Sequence, residues 1–86
     1  MGETNPDQRE LQRLGRSIRQ IRNEKGLSVA DLAQATNVDE ATIEALEAGR
    51  LDPPYDLMLD VASGLGIEMS ALIIQTEQAD GGGDDR

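Results

Sequence analysis

The stretch NVDEATIEALEAGR, residues 37–50, gathers the side chains in this chain best placed to do chemistry. Glu44 and Glu47 stand three residues apart, one helical turn, so on a helix they share one face. Carboxylates at that spacing are the raw material of a metal site or an acid–base pair. The companions such chemistry needs are missing. The 86-residue chain has no histidine and no cysteine, which removes the commonest general base and the thiolate ligands of zinc. The one glycine run, GGG at 81–83, lies in a polar stretch without a following helix, so it is no phosphate-cradling loop. Acidic residues at helical spacing are ordinarily a solvated face. Residue types therefore point away from an enzyme, a cofactor or a metal site, and toward binding.

Arginine supplies the opposite charge, and it is unevenly placed. Residues 1–26 carry six basic side chains (Arg9, Arg13, Arg16, Arg19, Arg22, Lys25) against four acidic ones, a balance of +2. The rest of the chain carries only Arg50 and Arg86 against thirteen carboxylates, a balance of −11, which gives the net charge of −9. Nucleic-acid binders usually present a basic surface, because phosphate neutralisation supplies most non-specific affinity. The overall charge opposes that role, though a local basic stripe acts within a Debye length of about 10 Å. On a helix, arginines at 9, 13, 16, 19 and 22 drift into a spiral rather than a flat patch, which reads as a mostly solvated surface.

The elements that must hold these residues are helical. There is one aromatic residue and no period-2 run, so strand signals are absent. Asn5 reads as a cap, with Pro6 at the first helical position and Gln8 three residues after the cap. The helix that follows places Leu11, Leu14, Ile18 and Ile21 on one face and ends at Gly26. A second helix starts after the cap Ser28, with Asp31 near the positive end of its dipole, Leu27 and Leu32 pointing inward, and the small Ala33 at a helix crossing. Asn37 falls where a tight turn needs a left-handed residue, which asparagine tolerates better than most. A third helix follows the cap Asp39, buries Val38, Ile43 and Leu46, and stops at Gly49.

LDPPYD then breaks the pattern. A fourth helix is expected from about Pro54 to Leu65 with Tyr55, Met58, Leu59, Ala62 and Leu65 inward, its end loosened by Gly64 and Gly66. A short final helix takes Met69, Leu72 and Ile73 into the core. Residues 75–86 are acidic, glycine-rich and aperiodic, and read as a disordered tail. Apolar runs stop at four residues, Ala71 to Ile74, too short for a membrane span, and no signal peptide is read before Asn5. The expectation is a cytoplasmic, all-α protein: a compact bundle of about five short helices. Residues 1–10 form an N-terminal extension and the start of the first helix, 11–74 the folded domain, and 75–86 the tail.

Short helices joined by tight turns suggest a helix-turn-helix module. LGRSIRQIRNEKGLS, DLAQATNV, TIEALEAGR and DVASGLGIEMSALI, in that order and without a gap, resemble the XRE-like (Cro/repressor-type, lambda-repressor-like) helix-turn-helix domains from Leu14 to Ile73. The resemblance implies a DNA-binding transcriptional regulator that inserts its third helix, about 39–48, into the major groove. It also implies a structural salt bridge between Arg22 and Glu47. Among DNA-facing positions it implies Ser28 and Val29 at a phosphate, Glu40, Ala41, Thr42 and Ala45 toward bases, and Arg50 at a phosphate. Many family members carry glutamine where Val29 stands, so the backbone amides there must serve instead. The implied partners are double-stranded DNA and, for a symmetric site, a second copy in a homodimer. The alternative left open by Asp39, Glu40 and Glu44 is an acidic module on the same scaffold that has lost its DNA face and binds a basic protein.

Overall fold

The chain folds into five helices: α1 (Gln8–Glu24), α2 (Val29–Thr36), α3 (Glu40–Glu47), α4 (Tyr55–Leu65) and α5 (Met69–Asp84). The computed structural model describes the backbone of residues 8–84 and the side chains of residues 8–78; Asn5 and Pro6, expected to open the first helix, lie outside them. Among the described residues there is no strand. The fold is all-α.

One core joins every helix. Ile18 and Ile21 of α1 meet Leu32 and Ala33 of α2, Ile43 and Leu46 of α3, Val61, Ala62 and Leu65 of α4, and Leu72 of α5. Val29, Val38 and Met58 are half-buried against it. Each fully buried Leu or Ile removes enough apolar surface to stabilise the fold by about 1.5–3 kcal/mol. In a domain this small, which buries only about 60% of its unfolded surface, few such residues can be spared.

Two glycines let helices approach closely. A Cβ on Gly15, midway along α1, would sit 2.6 Å from the Leu46 carbonyl oxygen and closer still to that of Glu47. The first helix therefore lies directly on the last turn of α3. A Cβ on Gly64 would come within 2.7 Å of Thr36 Cγ2, so Gly64, expected only to loosen a helix end, is where α4 crosses α2. Gly66 (φ 76°) does end α4, and Gly26 (φ 73°) follows α1.

Some inward positions differ from expectation. On α4, Tyr55 is 67% and Leu59 40% exposed, while Val61 is fully buried. Two overlapping apolar stripes run along this helix, 55/58/59/62 and 58/61/62/65, and packing on α2 and α5 selects the second. On α5, Met69 is half-buried and Leu72 buried as expected, but Ile73 is 45% exposed. The disordered tail expected from residue 75 is not what the backbone shows. The last helix runs on to Asp84. Gln75 and Thr76 are half-buried, and the Thr76 hydroxyl donates to the Leu72 carbonyl at 2.8 Å. Support comes from α1, whose Glu10, Arg13 and Leu14 line one groove with Ile73, Thr76 and Glu77.

Candidate nucleic-acid interface

The second helix opens with a reciprocal capping box. The Asp31 amide donates to Ser28 Oγ at 2.9 Å and the Ser28 amide donates to the Asp31 carboxylate at 2.9 Å. The Ser28 amide, then its hydroxyl, hold the Asp31 carboxyl below its ordinary value of 3.8. Ser28 itself is exposed, whereas Val29 is half-buried. At the other end Asn37 takes the left-handed conformation, φ 62° and ψ 37°, and Val38 N–H reaches back to the Ala33 carbonyl at 3.0 Å. Those bonds close the end of α2 and turn the chain sharply into α3.

The Asp39 backbone is extended at the start of α3, and its carbonyl accepts from the amides of Thr42 (3.1 Å) and Ile43 (3.2 Å). Its carboxylate makes no capping bond, contrary to expectation. Asp39 and Glu40 nevertheless sit at the positive end of the helix, where negative charge is favourable. Along α3, Ile43 and Leu46 are buried, Thr42 and Ala45 half-buried, and Glu40, Ala41, Glu44 and Ala48 exposed. At 100° per residue the exposed four span one continuous arc, with Ala45 on its edge and Thr42 turned toward the interior side. Glu44 and Ala48 thus belong to the outer surface, although the family pattern had not singled them out. Exposure at the 3.6-residue period, read from the buried pair Ile43 and Leu46, was the signal that could have found them.

The fourth acid of the stretch is used internally. Arg22 and Glu47 form a bidentate pair, Nε to Oε2 at 2.6 Å and Nη2 to Oε1 at 3.0 Å, with side chains 10% and 9% exposed. A further donation from Arg22 Nη1 to the Leu27 carbonyl, 2.9 Å, ties the α1–α2 loop to the same guanidinium. The hydrogen bond to Glu47, opposed by burial and helped by the carboxylate charge, raises the Arg22 pKa above its ordinary value. Fork-on-fork geometry of this kind fixes orientation as well as distance.

Beyond α3, Gly49 is left-handed (φ 77°) and buried, and Arg50 is exposed. The Arg50 amide donates to the Ala45 carbonyl at 2.9 Å. Gln8 reaches across to this loop: its side-chain amide donates to the Gly49 carbonyl at 2.6 Å. One stripe of α1, Gln8, Gln12, Gly15 and Arg22, therefore grips the last turn of α3 and the loop after it. The structure brings Glu40, Ala41 and Ala45 together on the outer side of α3, leaves Arg50 at its C-terminal end, and sets Ser28 and Val29 apart at the start of α2. Among the described residues no group of three or more acidic side chains is arranged to hold a metal ion. No single helix among them is long and apolar enough to cross a membrane.

Two short helices, a three-residue turn and an exposed second-helix face are the parts of a helix-turn-helix unit. A model of the helix-turn-helix domain family matches residues 13–71. The chain is 32% identical over 72 residues to the immunity repressor protein of Bacillus phage phi105, an alignment covering 78% of this chain and 50% of the repressor. It thus spans about half the length of that relative. Among solved structures it resembles the clp gene regulator ClgR of C. glutamicum, with a TM-score of 0.77 and 28% identity over 88% of this chain and 96% of that one. It also resembles the restriction-modification controller protein C.AhdI of Aeromonas hydrophila, with a TM-score of 0.73 and 30% identity over 74% and 97% of the two chains. The chain belongs to the helix-turn-helix domain family, with α2 and α3 as the two helices of the motif.

Proposed function

We propose that the chain is a sequence-specific, non-enzymatic DNA-binding transcriptional regulator that acts in the cytoplasm as a homodimer on a symmetric site. The observation that carries this reading is the exposed arc of α3, held by a tight turn on one side and by the Arg22–Glu47 pair on the other. A helix so fixed can enter a major groove about 12 Å wide without deforming. Relatives described as a repressor and as regulators support the same role.

The roles divide by chemistry. Arg50, exposed at the end of α3, suits a phosphate, and so do the Val29 and Ala30 amides at the start of α2, those of Ser28 and Asp31 being taken by the capping box. Glu40 can accept a hydrogen bond from cytosine N4, and Ala41 can meet a thymine methyl. Ala45, at the edge of the arc, leaves room for close approach. Thr42, half-buried, reaches a base only at the margin of the face. Glu44 and Asp39 weaken the grip on any sequence through repulsion of phosphate, so the protein trades general affinity for discrimination. Selection from random duplexes tests the reading. A motif should emerge, and Glu40→Gln should strengthen binding overall while relaxing preference at one base pair. Recovery of no motif, together with loss of a basic protein partner on Glu40→Lys, would instead favour an acidic protein-interaction module.

A further inference from the structure

The peptide unit between Gly49 and Arg50 is held at both of its polar ends by different helices. Its N–H, on Arg50, donates to the Ala45 carbonyl of α3 at 2.9 Å. Its C=O, on Gly49, accepts from Gln8 Nε2 of α1 at 2.6 Å, across forty-one positions of sequence. A peptide is planar, so fixing both ends fixes the plane and the place of the next Cα, leaving only rotation about its own N–Cα bond and the side chain's rotamers to be set. That next residue is Arg50, the exposed arginine beside α3. Gly49 itself is left-handed, buried and packed against α1, where a Cβ would fall 2.7 Å from Gln12 Cγ.

We infer that Gln8 is a positioning residue for the DNA-backbone contact at Arg50, acting through the Gly49–Arg50 peptide it clamps. The inference rests on the DNA-binding reading above. Without the Gln8 bond, the Gly49 carbonyl keeps no partner from α1, and the loop is anchored only by α3. Arginine loses much rotamer entropy when it grips a phosphate, so a backbone already aimed at the groove lowers the cost of that contact. Gln8 is itself exposed and uncharged, and the Arg50→Ala background separates an effect that passes through Arg50 from a direct contact of the Gln8 amide with a phosphate.

The variant that isolates the bond is Gln8→Met, which keeps the length of the side chain and adds no charge but cannot donate. Fluorescence anisotropy with a mixed-sequence duplex of about 20 base pairs, roughly two helical turns, at about 50 mM salt reads the phosphate contact without a known operator. Gln8→Met should weaken binding by about two- to twelvefold, the cost of re-ordering one loosened side chain on binding, about 0.5–1.5 kcal/mol. In an Arg50→Ala background the same change should have no further effect. Hydrogen exchange supplies a DNA-free readout: the Arg50 amide should exchange several-fold faster in Gln8→Met while the Ile43 and Leu46 amides are unchanged. Equal losses from Gln8→Met in both backgrounds, or uniform faster exchange across α3, would overturn the positioning role and leave a merely structural bond. Wild-type protein that fails to bind the duplex would overturn the DNA-binding reading itself, a different result from additive losses in a protein that binds.

Discussion

Removing the Glu47 carboxylate should destabilise this domain strongly, because it leaves a covered guanidinium without its partner. In Glu47→Ala, Arg22 keeps its donation to the Leu27 carbonyl but loses both bonds to the carboxylate, at 2.6 and 3.0 Å. Its guanidinium stays under the same cover, with 10% of the side chain exposed, so water cannot fully replace the lost partner. Breaking one side of a buried pair costs about 3–5 kcal/mol. The pair lies at the ends of α1 and α3 rather than at the centre of the core, which places the expectation at about 3 kcal/mol, the lower end of that range. Total stability for a chain of this size is about 4–13 kcal/mol, so the loss is a large share of the whole. The melting temperature should fall by about 12–24 °C. Urea denaturation of Glu47→Ala, Arg22→Met and the double variant measures the pair directly. The double variant should be more stable than the summed losses imply, with a coupling of at least about 1 kcal/mol. Because the Arg22 pKa is raised, its contribution is complete at every pH below the ordinary arginine range and is lost only in strong alkali. The coupling should therefore be flat from pH 5 to 9, a range far below any arginine titration. Losses that simply add within about 0.5 kcal/mol would refute the assignment of the pair as the clamp between α1 and α3.

Gly15→Ala should destabilise by about 1–3 kcal/mol in chemical denaturation, although alanine is the better helix former, because its Cβ meets the Leu46 carbonyl oxygen at 2.6 Å; a stabilised variant would mean that α1 can slide off α3. Asn37→Gly should be neutral or slightly stabilising, and Asn37→Val should cost about 1–2 kcal/mol, since φ is 62°; equal melting temperatures for the two variants would count against the left-handed turn. Asp31 has a lowered folded-state pKa, so its support of α2 is present above pH 3.8 and lost as pH falls through the lower folded value. A carboxyl-carbon NMR titration should place the Asp31 midpoint below the ordinary aspartate value of 3.8; a midpoint at or above it would refute the capping box as the cause of a lowered value.

The parts legible in the sequence were the ones decided locally. Ser28 with Asp31, Asn37 in the turn and Gly26 after α1 each satisfy backbone groups within a few residues, so residue type alone carries the information. What could not be read locally was the choice between equivalent alternatives. Leu59 is as apolar as Val61, and only the position of α2 and α5 decides which stripe of α4 is covered. Gln8 fits a capping pattern, yet its amide finds the carbonyl of Gly49, forty-one residues on. A glycine at position 15 costs a helix about 1 kcal/mol, a hint of close packing that does not say against what. Of the candidate site, Glu40, Ala41 and Arg50 lie where the family pattern implies exposure, while Thr42 is more covered and Glu44 more prominent. The acidity of α3 is accounted for piece by piece. Glu47 is bound to Arg22, Asp39 and Glu40 sit exposed at the positive end of the helix, and Glu44 shares the outward arc with Glu40.

The central claim, that this acidic helix reads DNA, is tested most directly by one titration. Affinity for the duplex recovered by selection is measured at about 50 mM and about 200 mM salt, by anisotropy. Two to four neutralised phosphates, from Arg50 and its neighbours in two copies, should make affinity fall about tenfold to a hundredfold between those points. Arg50→Ala should flatten the slope by about one for each copy bound. Negligible binding at both salt concentrations, or binding that does not change between them, would contradict the account.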